Sequence, residues 1–436
     1  MKRVLIITIL LALFSLPSAA QIADDQARSG SVYSNLGVGI PTDLASSSAL
    51  GMGLTGVSFV ESNVPGIANP AEWGSTVYTL ATGGFSFQKF NSRDNTGTSA
   101  NAVFAANTFQ LQFPLIRDEL GVSVSFAPLT QSNFRIIDTN TQIIGSGSQA
   151  DTLIANVENR GTGGVNNLEF GMGWKINRNI SIGYAASLQL ASIENNVTAL
   201  FENSSYQGVG FSRRLSGYGF GNRIGTLIRL PSLLSDSDQL QLGAAVRLPV
   251  DINSDREQSA DKPVGPNAVE TVVLESGSGL GKGDIRMPME ISGGLTYRPT
   301  RTLYVTGEGL YQQWSDFRFS YSRRQQNLMS DRYKGGIGIR YFPFISGTNT
   351  FLSRFKYRAG VSYDTGHLDI NGERIESWTL SAGIGIPSPK SRSSIDLNFF
   401  YGRRGTETQN LVKESIWGLR LSINLAELMF IQPKLQ

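Results

Sequence analysis

The sequence predicts an all-β fold, a transmembrane antiparallel β-barrel of about fourteen strands, and three observations carry that prediction. Apolar and polar residues alternate with a period of two along the last clean segment, where Leu419, Leu421, Ile423 and Leu425 interleave with Gly418, Arg420, Ser422 and Asn424. From residue 76 onward, long and short connections between strand-like segments alternate. Beyond residue 20 there is no run of about 18 apolar residues, so only a barrel could cross a membrane.

At the start, Met1-Lys2-Arg3, the apolar run Val4 to Leu16 and Ser18-Ala19-Ala20 read as a secretory signal peptide over residues 1–20. Residues 21–74 follow as a compact irregular segment, broken by Ser46-Ser47-Ser48, Gly51, Gly53, Gly56 and Pro65-Gly66. Cysteine is absent, which leaves no disulfide or thiolate metal site. The net charge of +3 is too small to argue for nucleic acid. Glycine, 48 of 436 residues, is enriched inside strand-like runs, where close packing or tight curvature calls for it.

Residues 75–436 are expected to form the barrel. Short joints fall at Arg117-Asp118, Asn177 to Asn179, Pro231 to Asp238, Pro299-Thr300 and Pro387 to Lys390. Long connections are expected at 136–163, 199–212 and 253–284. Strand five puts Ile180, Ile182, Tyr184, Ala186, Leu188 and Leu190 on one face, and strand twelve does the same with Trp378, Leu380, Ala382, Ile384 and Ile386. A soluble sandwich would need a second sheet over each apolar face and explains no alternation of loops. The compartment implied is a bacterial outer membrane.

Three groups of residues carry a family resemblance. They are Leu50 to Val57 with Asn69-Pro70-Ala71, then Met287-Pro288 through Tyr297 to Trp314-Ser315-Asp316, and Tyr357 to Tyr363 with Ser381 to Gly385. Together they resemble the FadL/TodX family of outer-membrane transporters for long-chain fatty acids and hydrocarbons. The resemblance implies that 21–74 is an N-terminal hatch inside a fourteen-stranded barrel, that Asn69, Pro70 and Ala71 are its motif, and that a hydrophobic ligand or fatty acid leaves sideways near strand three. Outer-membrane lipid and, during biogenesis, the barrel-assembly machinery are the other partners implied.

Strand three holds Pro128, which lacks an N–H and cannot complete a ladder, so it is the candidate lateral opening. Its placement at the strand's outer end near a loop is the alternative. A carboxylate in the lumen needs a cation, and alternation turns Arg247, Arg340, Lys356 and Arg358 inward. The competing fate of each is a structural ion pair with Glu308 or Asp396. His367, the sole histidine, reads as a solvated loop residue, so neither a catalytic triad nor a metal site is expected, and no cofactor. The reading is a non-enzymatic passive importer of hydrophobic small molecules. The alternative is a barrel of the same fold acting as a structural or secretion-system scaffold for envelope proteins.

Overall fold

The computed structural model describes residues 29–144, 151–202, 208–265, 268–275, 281–344 and 350–428; the signal segment and the residues around Phe430 and Gln436 lie outside them. Fourteen antiparallel strands close into one barrel. In chain order they are β1 (Thr79–Arg93), β2 (Thr98–Ile116), β3 (Leu120–Pro128, continued by Phe134–Ile144), β4 (Asp151–Lys175), β5 (Ile180–Phe201), β6 (Val209–Pro231) and β7 (Gln239–Arg247, continued by Val250–Gly265). The second half comprises β8 (Lys282–Met287, continued by Glu290–Arg298), β9 (Leu303–Gln312), β10 (Arg332–Tyr341), β11 (Lys356–Asp364), β12 (Ser377–Pro387), β13 (Ser394–Arg404) and β14 (Lys413–Glu427). The last strand closes on the first in continuous register from Thr79↔Glu427 to Arg93↔Lys413.

The two-residue period determines which way the barrel faces. On β14, Leu421 and Ile423 are 43% and 48% exposed while Ser422 and Asn424 are 4% and 0% exposed. Apolar side chains therefore point out and polar ones in, the reverse of a soluble sheet. Ile180, Ile182 and Tyr184 on β5 and Leu380, Ile384 and Ile386 on β12 continue the belt. This is the architecture of an outer-membrane barrel.

The expected long connections are corrected by the structure. Residues 134–144 pair with 151–161, Ala199 pairs with Val209, and 258–265 pair with 268–275, so much of each polar stretch is a hairpin rising beyond the barrel. Cross-strand pairing outweighed the weak local β-propensity of these Asn- and Asp-rich runs. β9 ends at Gln312, where a 3-10 turn, Trp314–Asp316, follows.

Residues 29–75 lie inside the barrel, held by hydrogen bonds to lumen-facing groups of strands all round it. Ser47 Oγ donates to Asp396 on β13 (2.8 Å), and Asn398 Nδ2 donates to the Ser47 carbonyl (2.9 Å). The Glu308 carboxylate on β9 accepts from Thr55 N–H (2.9 Å), Thr55 Oγ1 (2.8 Å) and Gly56 N–H. Inward glycines make room for this segment. A Cβ on Gly225 would lie 2.1 Å from Asn69 Oδ1, and one on Gly360 2.0 Å from the Met52 carbonyl. Here wall glycines are required by close approach rather than by turns.

Candidate functional site

Asn69 caps the 3-10 helix Pro70–Ser75 by accepting from Ala71 N–H (3.0 Å), while its Nδ2 donates to the carbonyls of Val57 and Thr226, each at 2.9 Å. Proline at the first helical position is preset for the turn and wastes no donor. Trp73, fully buried, donates its indole N–H to Gly66 (2.7 Å), and Arg223 on β6 donates to Ala68 (2.8 Å). The motif thus stitches the lumenal segment to β4–β6.

On the opposite side two carboxylates of the same segment engage cations of the wall. Asp43 meets Arg332 (2.8 Å) and Lys334 (2.6 Å) of β10, and Arg332 also pairs with Asp364 (2.7 Å). Deeper in, Glu61 sits among Lys356, Arg340 (3.1 Å) and Arg358 (3.2 Å), and Arg358 also holds Asp396 (2.8 Å). Arg332 and the groups around Glu61 are buried, while Asp43, Lys334 and Asp364 are partly exposed, and sharing of partners makes the pairs depend on one another.

Arg247, Arg340, Lys356 and Arg358 are therefore inward, as alternation predicts, and each is committed to a carboxylate of the chain. Arg247 pairs with Glu290 (2.5 Å) and the other three share Glu61. Asp396 is one partner foreseen from the sequence, whereas Glu308 is occupied by Thr55 and Gly56 instead. Glu61 was not legible as a partner because the lumenal segment has no periodicity from which to read its direction.

His367 is a second correction. It is 4% exposed, its ring lies 4.7 Å from that of Trp314, and its Nε2 has no partner among the described residues. Burial pushes its pKa down to about 3, with the neighbouring Arg332 charge acting in the same direction. The loop that carries it folds back onto the lumenal segment instead of into water.

The wall is interrupted at strand three. β2 and β3 pair only from Ile116↔Leu120 to Phe109↔Phe126, although β2 stays paired with β1 up to Thr98↔Arg93. On its other edge β3 pairs with β4 through Pro128↔Asn166, stays bonded to it irregularly as Leu129 and Ser132 N–H donate to the Val165 and Gly163 carbonyls (2.7 and 2.8 Å), and regains regular register at Phe134↔Gly161. Between those points it bends inward, where Thr130–Gln131 pairs with Ile40–Pro41. Gly163 and Gly164, at φ 108° and 143°, allow this approach; a Cβ on Gly164 would lie 2.2 Å from the Thr130 carbonyl. The result is a seam between residues 98–108 of β2 and β3, beginning at the level of Gly83 and Ile423 inside the lipid-facing belt. Pro128 marks its inner corner.

A cavity of about 240 Å³ lies beside the lumenal segment, walled by β10–β14 and extending to β1–β3. It touches Asp43, Leu50 and Leu54, is floored by Phe90, Phe400 and Ile416, and reaches the seam at Val103 and Asn107 on one edge and Pro128 and Asn133 on the other. Arg420 also lines it. This guanidinium lies 4.3 Å over the ring of Phe400, with no hydrogen bond or ion pair to a described residue. Alternation turns Arg420 inward just as it does the four expected cations, but only packing shows that the carboxylate acting on it, Asp43, is engaged by Arg332 and Lys334.

Among solved structures the fold is similar to a Pseudomonas aeruginosa FadL homologue (TM-score 0.55, 13% identity, 89% of this chain and 99% of that one covered). It is also similar to the Ralstonia pickettii toluene transporter TbuX (TM-score 0.51, 15% identity, 92% and 99% covered) and to the monoaromatic hydrocarbon channel CymD (TM-score 0.51, 14% identity, 88% and 97% covered). No curated protein matches the sequence. The fold is thus of the FadL type, and because a family model described as BamG matches residues 1–436, the chain belongs to the BamG family.

Proposed function

We propose that this barrel is a passive outer-membrane uptake channel for hydrophobic small molecules such as long-chain fatty acids, in which residues 29–75 act as a hatch and ligand leaves sideways through the β2–β3 seam. The observation that carries the reading is that the cavity beside the lumenal segment reaches a stretch of wall, inside the lipid-facing belt, where the β2–β3 ladder is broken. A hydrophobe leaving there would enter the membrane without crossing the ionic contacts of Asp43 and Glu61 with β10 and β11. The structurally similar TbuX, a toluene transporter, and CymD, a monoaromatic hydrocarbon channel, agree with that class of cargo. Because the chain has no cysteine, Val103→Cys with Gln131→Cys can be bridged across the seam by a cleavable bifunctional maleimide. Uptake of labelled fatty acid should fall on bridging and return on cleavage. Unchanged uptake would refute the lateral route, and a purified barrel that holds no extractable hydrophobe and mediates no uptake would refute transport.

A second reading, a scaffold for other envelope proteins, is favoured by a different feature. Of the 22 residues of β5 about ten suffice to cross a membrane, so β3–β7 stand above it as a wall. Its inner face carries Ile136, Val197, Phe211, Ala260 and Val272 in one register row. Co-purification of an envelope protein that is lost on Phe211→Asp, from a barrel empty of lipid, would move the assignment to this reading.

A further inference from the structure

The short turns of the barrel lie at the end opposite the tall hairpins, which is the periplasmic end of an outer-membrane barrel. Their charges are divided unevenly around the rim. The turns at 117–119, 176–179 and 232–238, between β2 and β7, hold the cations Arg117 and Arg178 against the acids Asp118, Glu119, Asp236 and Asp238. Between β8 and β13, residues 299–302, 342–344, 350–355 and 388–393 hold Arg301, Arg354, Lys390 and Arg392 and no acid. These four side chains are exposed, and none has an ion pair among the described residues. We infer that this arc of the rim binds anionic phospholipid of the periplasmic leaflet, with the four cations on the phosphates and the residues joining β10 to β11 among the acyl chains.

The apolar half of the surface is Phe351 and Leu352, 71% and 64% exposed, with Phe344 beside them in the same connection. Tyr357 shows which way they face. It stands on the outward side of β11, opposite the exposed Tyr341, and its hydroxyl donates to the Leu352 carbonyl (2.8 Å), which holds Leu352 on the lipid side of the wall. Phe342 N–H donates to the Thr302 carbonyl (2.8 Å) and ties this connection to the turn carrying Arg301, while Ser388 N–H donates to the Ser393 carbonyl (2.8 Å) and closes the turn carrying Lys390 and Arg392. Prolines at 299, 343, 387 and 389 stiffen the same turns. Six neighbouring strands about 4.8 Å apart give the arc a length of roughly 25 Å, more than one headgroup, so it engages a short row of lipids. Cations at the rim with apolar side chains turned to the membrane match a phosphate above its acyl chains. An acidic polypeptide would satisfy the charges and leave the lipid-side placement of Leu352 without a use, and a soluble phosphate would leave Phe351 and Leu352 in water. The arc lies across the barrel from the β2–β3 seam, so the inference does not depend on the uptake reading.

The test adds equal amounts of phosphatidylglycerol and phosphatidylcholine, matched in their chains, to the full-length barrel in detergent and counts retained lipids by native mass spectrometry. The wild type should retain phosphatidylglycerol about tenfold or more over phosphatidylcholine, since each cation close to the headgroups contributes a few-fold. Arg301→Gln, Arg354→Gln, Lys390→Gln and Arg392→Gln together should remove that preference, whereas Arg117→Gln with Arg178→Gln should keep it. Phe351→Ser with Leu352→Ser should lower retention of both lipids and keep their ratio. All of these side chains are exposed, and heat-modifiable gel mobility verifies that each variant is folded. Equal retention of the two lipids by the wild type, or a preference that survives the quadruple variant, overturns the inference. Displacement of phosphatidylglycerol by glycerol 3-phosphate would assign the arc to soluble phosphates and displacement by polyglutamate to an acidic protein, and either result overturns the lipid assignment.

Discussion

Replacing Glu61 by glutamine isolates the strongest attachment of the lumenal segment to the wall. In the native lumen three cations, Arg340, Lys356 and Arg358, face two carboxylates, Glu61 and Asp396, an excess of one positive charge. Glu61→Gln leaves three against one, an excess of two, among side chains no more than 8% exposed. Breaking a buried pair from one side costs about 3–5 kcal/mol, mostly through the charge left behind. At about 1.4 kcal/mol per tenfold that shifts docking of the segment by roughly a hundredfold or more. The readout is a cysteine placed at Leu54, which is buried with Met52 and Phe59 against the wall and would be the chain's sole thiol. Its labelling by a charged maleimide should accelerate about a hundredfold on Glu61→Gln, and adding Lys356→Met, which restores the excess to one, should recover part of the protection. A labelling rate within about threefold of the parent, in a barrel shown to be folded by gel mobility, would refute the claim that this network holds the segment in place.

Asn69→Ala removes the donor to two buried carbonyls and the cap of the Pro70–Ser75 turn, and should weaken the segment's attachment to β4–β6 by about 1–3 kcal/mol, seen as faster proteolysis near residue 70. Pro128→Ala supplies an N–H at the inner corner of the seam and should slow fatty-acid uptake without altering thermal stability; equal uptake rates would count against a role in the opening. His367 has its folded pKa lowered from 6.5 to about 3, so the unfolded chain binds the extra proton between those values. Stability from this group is full above about pH 6.5 and is lost as pH falls toward 3. Heat-denaturation midpoints should decline across that window, and His367→Phe should flatten the decline.

What could be read from the sequence follows from where its periodicity was strong. The outward belt, the closing strand and the inward direction of Arg247, Arg340, Lys356 and Arg358 all rest on a two-residue alternation that lipid on one side and a polar lumen on the other enforce. Glu61, Asp43 and His367 sit in segments without a repeat, so nothing local reported that they turn into the lumen. The hairpins above the membrane were misread as loops because their strands are polar on one face and rich in Asn, Asp and Ser. The seam was half legible: Pro128 marked the strand, but the break lies on the β2 edge, where no proline stands, and is produced by 129–133 turning in to bind residues 30–42.

The lumenal segment is attached all round the barrel, and the gaps between its attachments set the route past it. Toward β4–β6 it is stitched by Asn69, Trp73 and Arg223, and toward β9–β13 by Asp43, Glu61, Ser47 and the Glu308 carboxylate. On the β1–β3 side it is held by residues 129–133 and by Gln110, which donates to the Gly66 carbonyl (2.9 Å), and between these contacts the large cavity adjoins a smaller crevice lined by Pro65, Thr82, Asn107 and Ser422, the two sharing Ala45, Leu50, Asn107 and Thr108. That crevice is only about 20 Å³, so an alkyl chain going down it would have to push apart the packed groups of Ser46, Ser47, Asn107 and Gln110. The neighbouring seam offers Val103 and the membrane itself. An apolar chain beside this segment is thus turned outward by the cost of the downward path as much as by the opening in the wall.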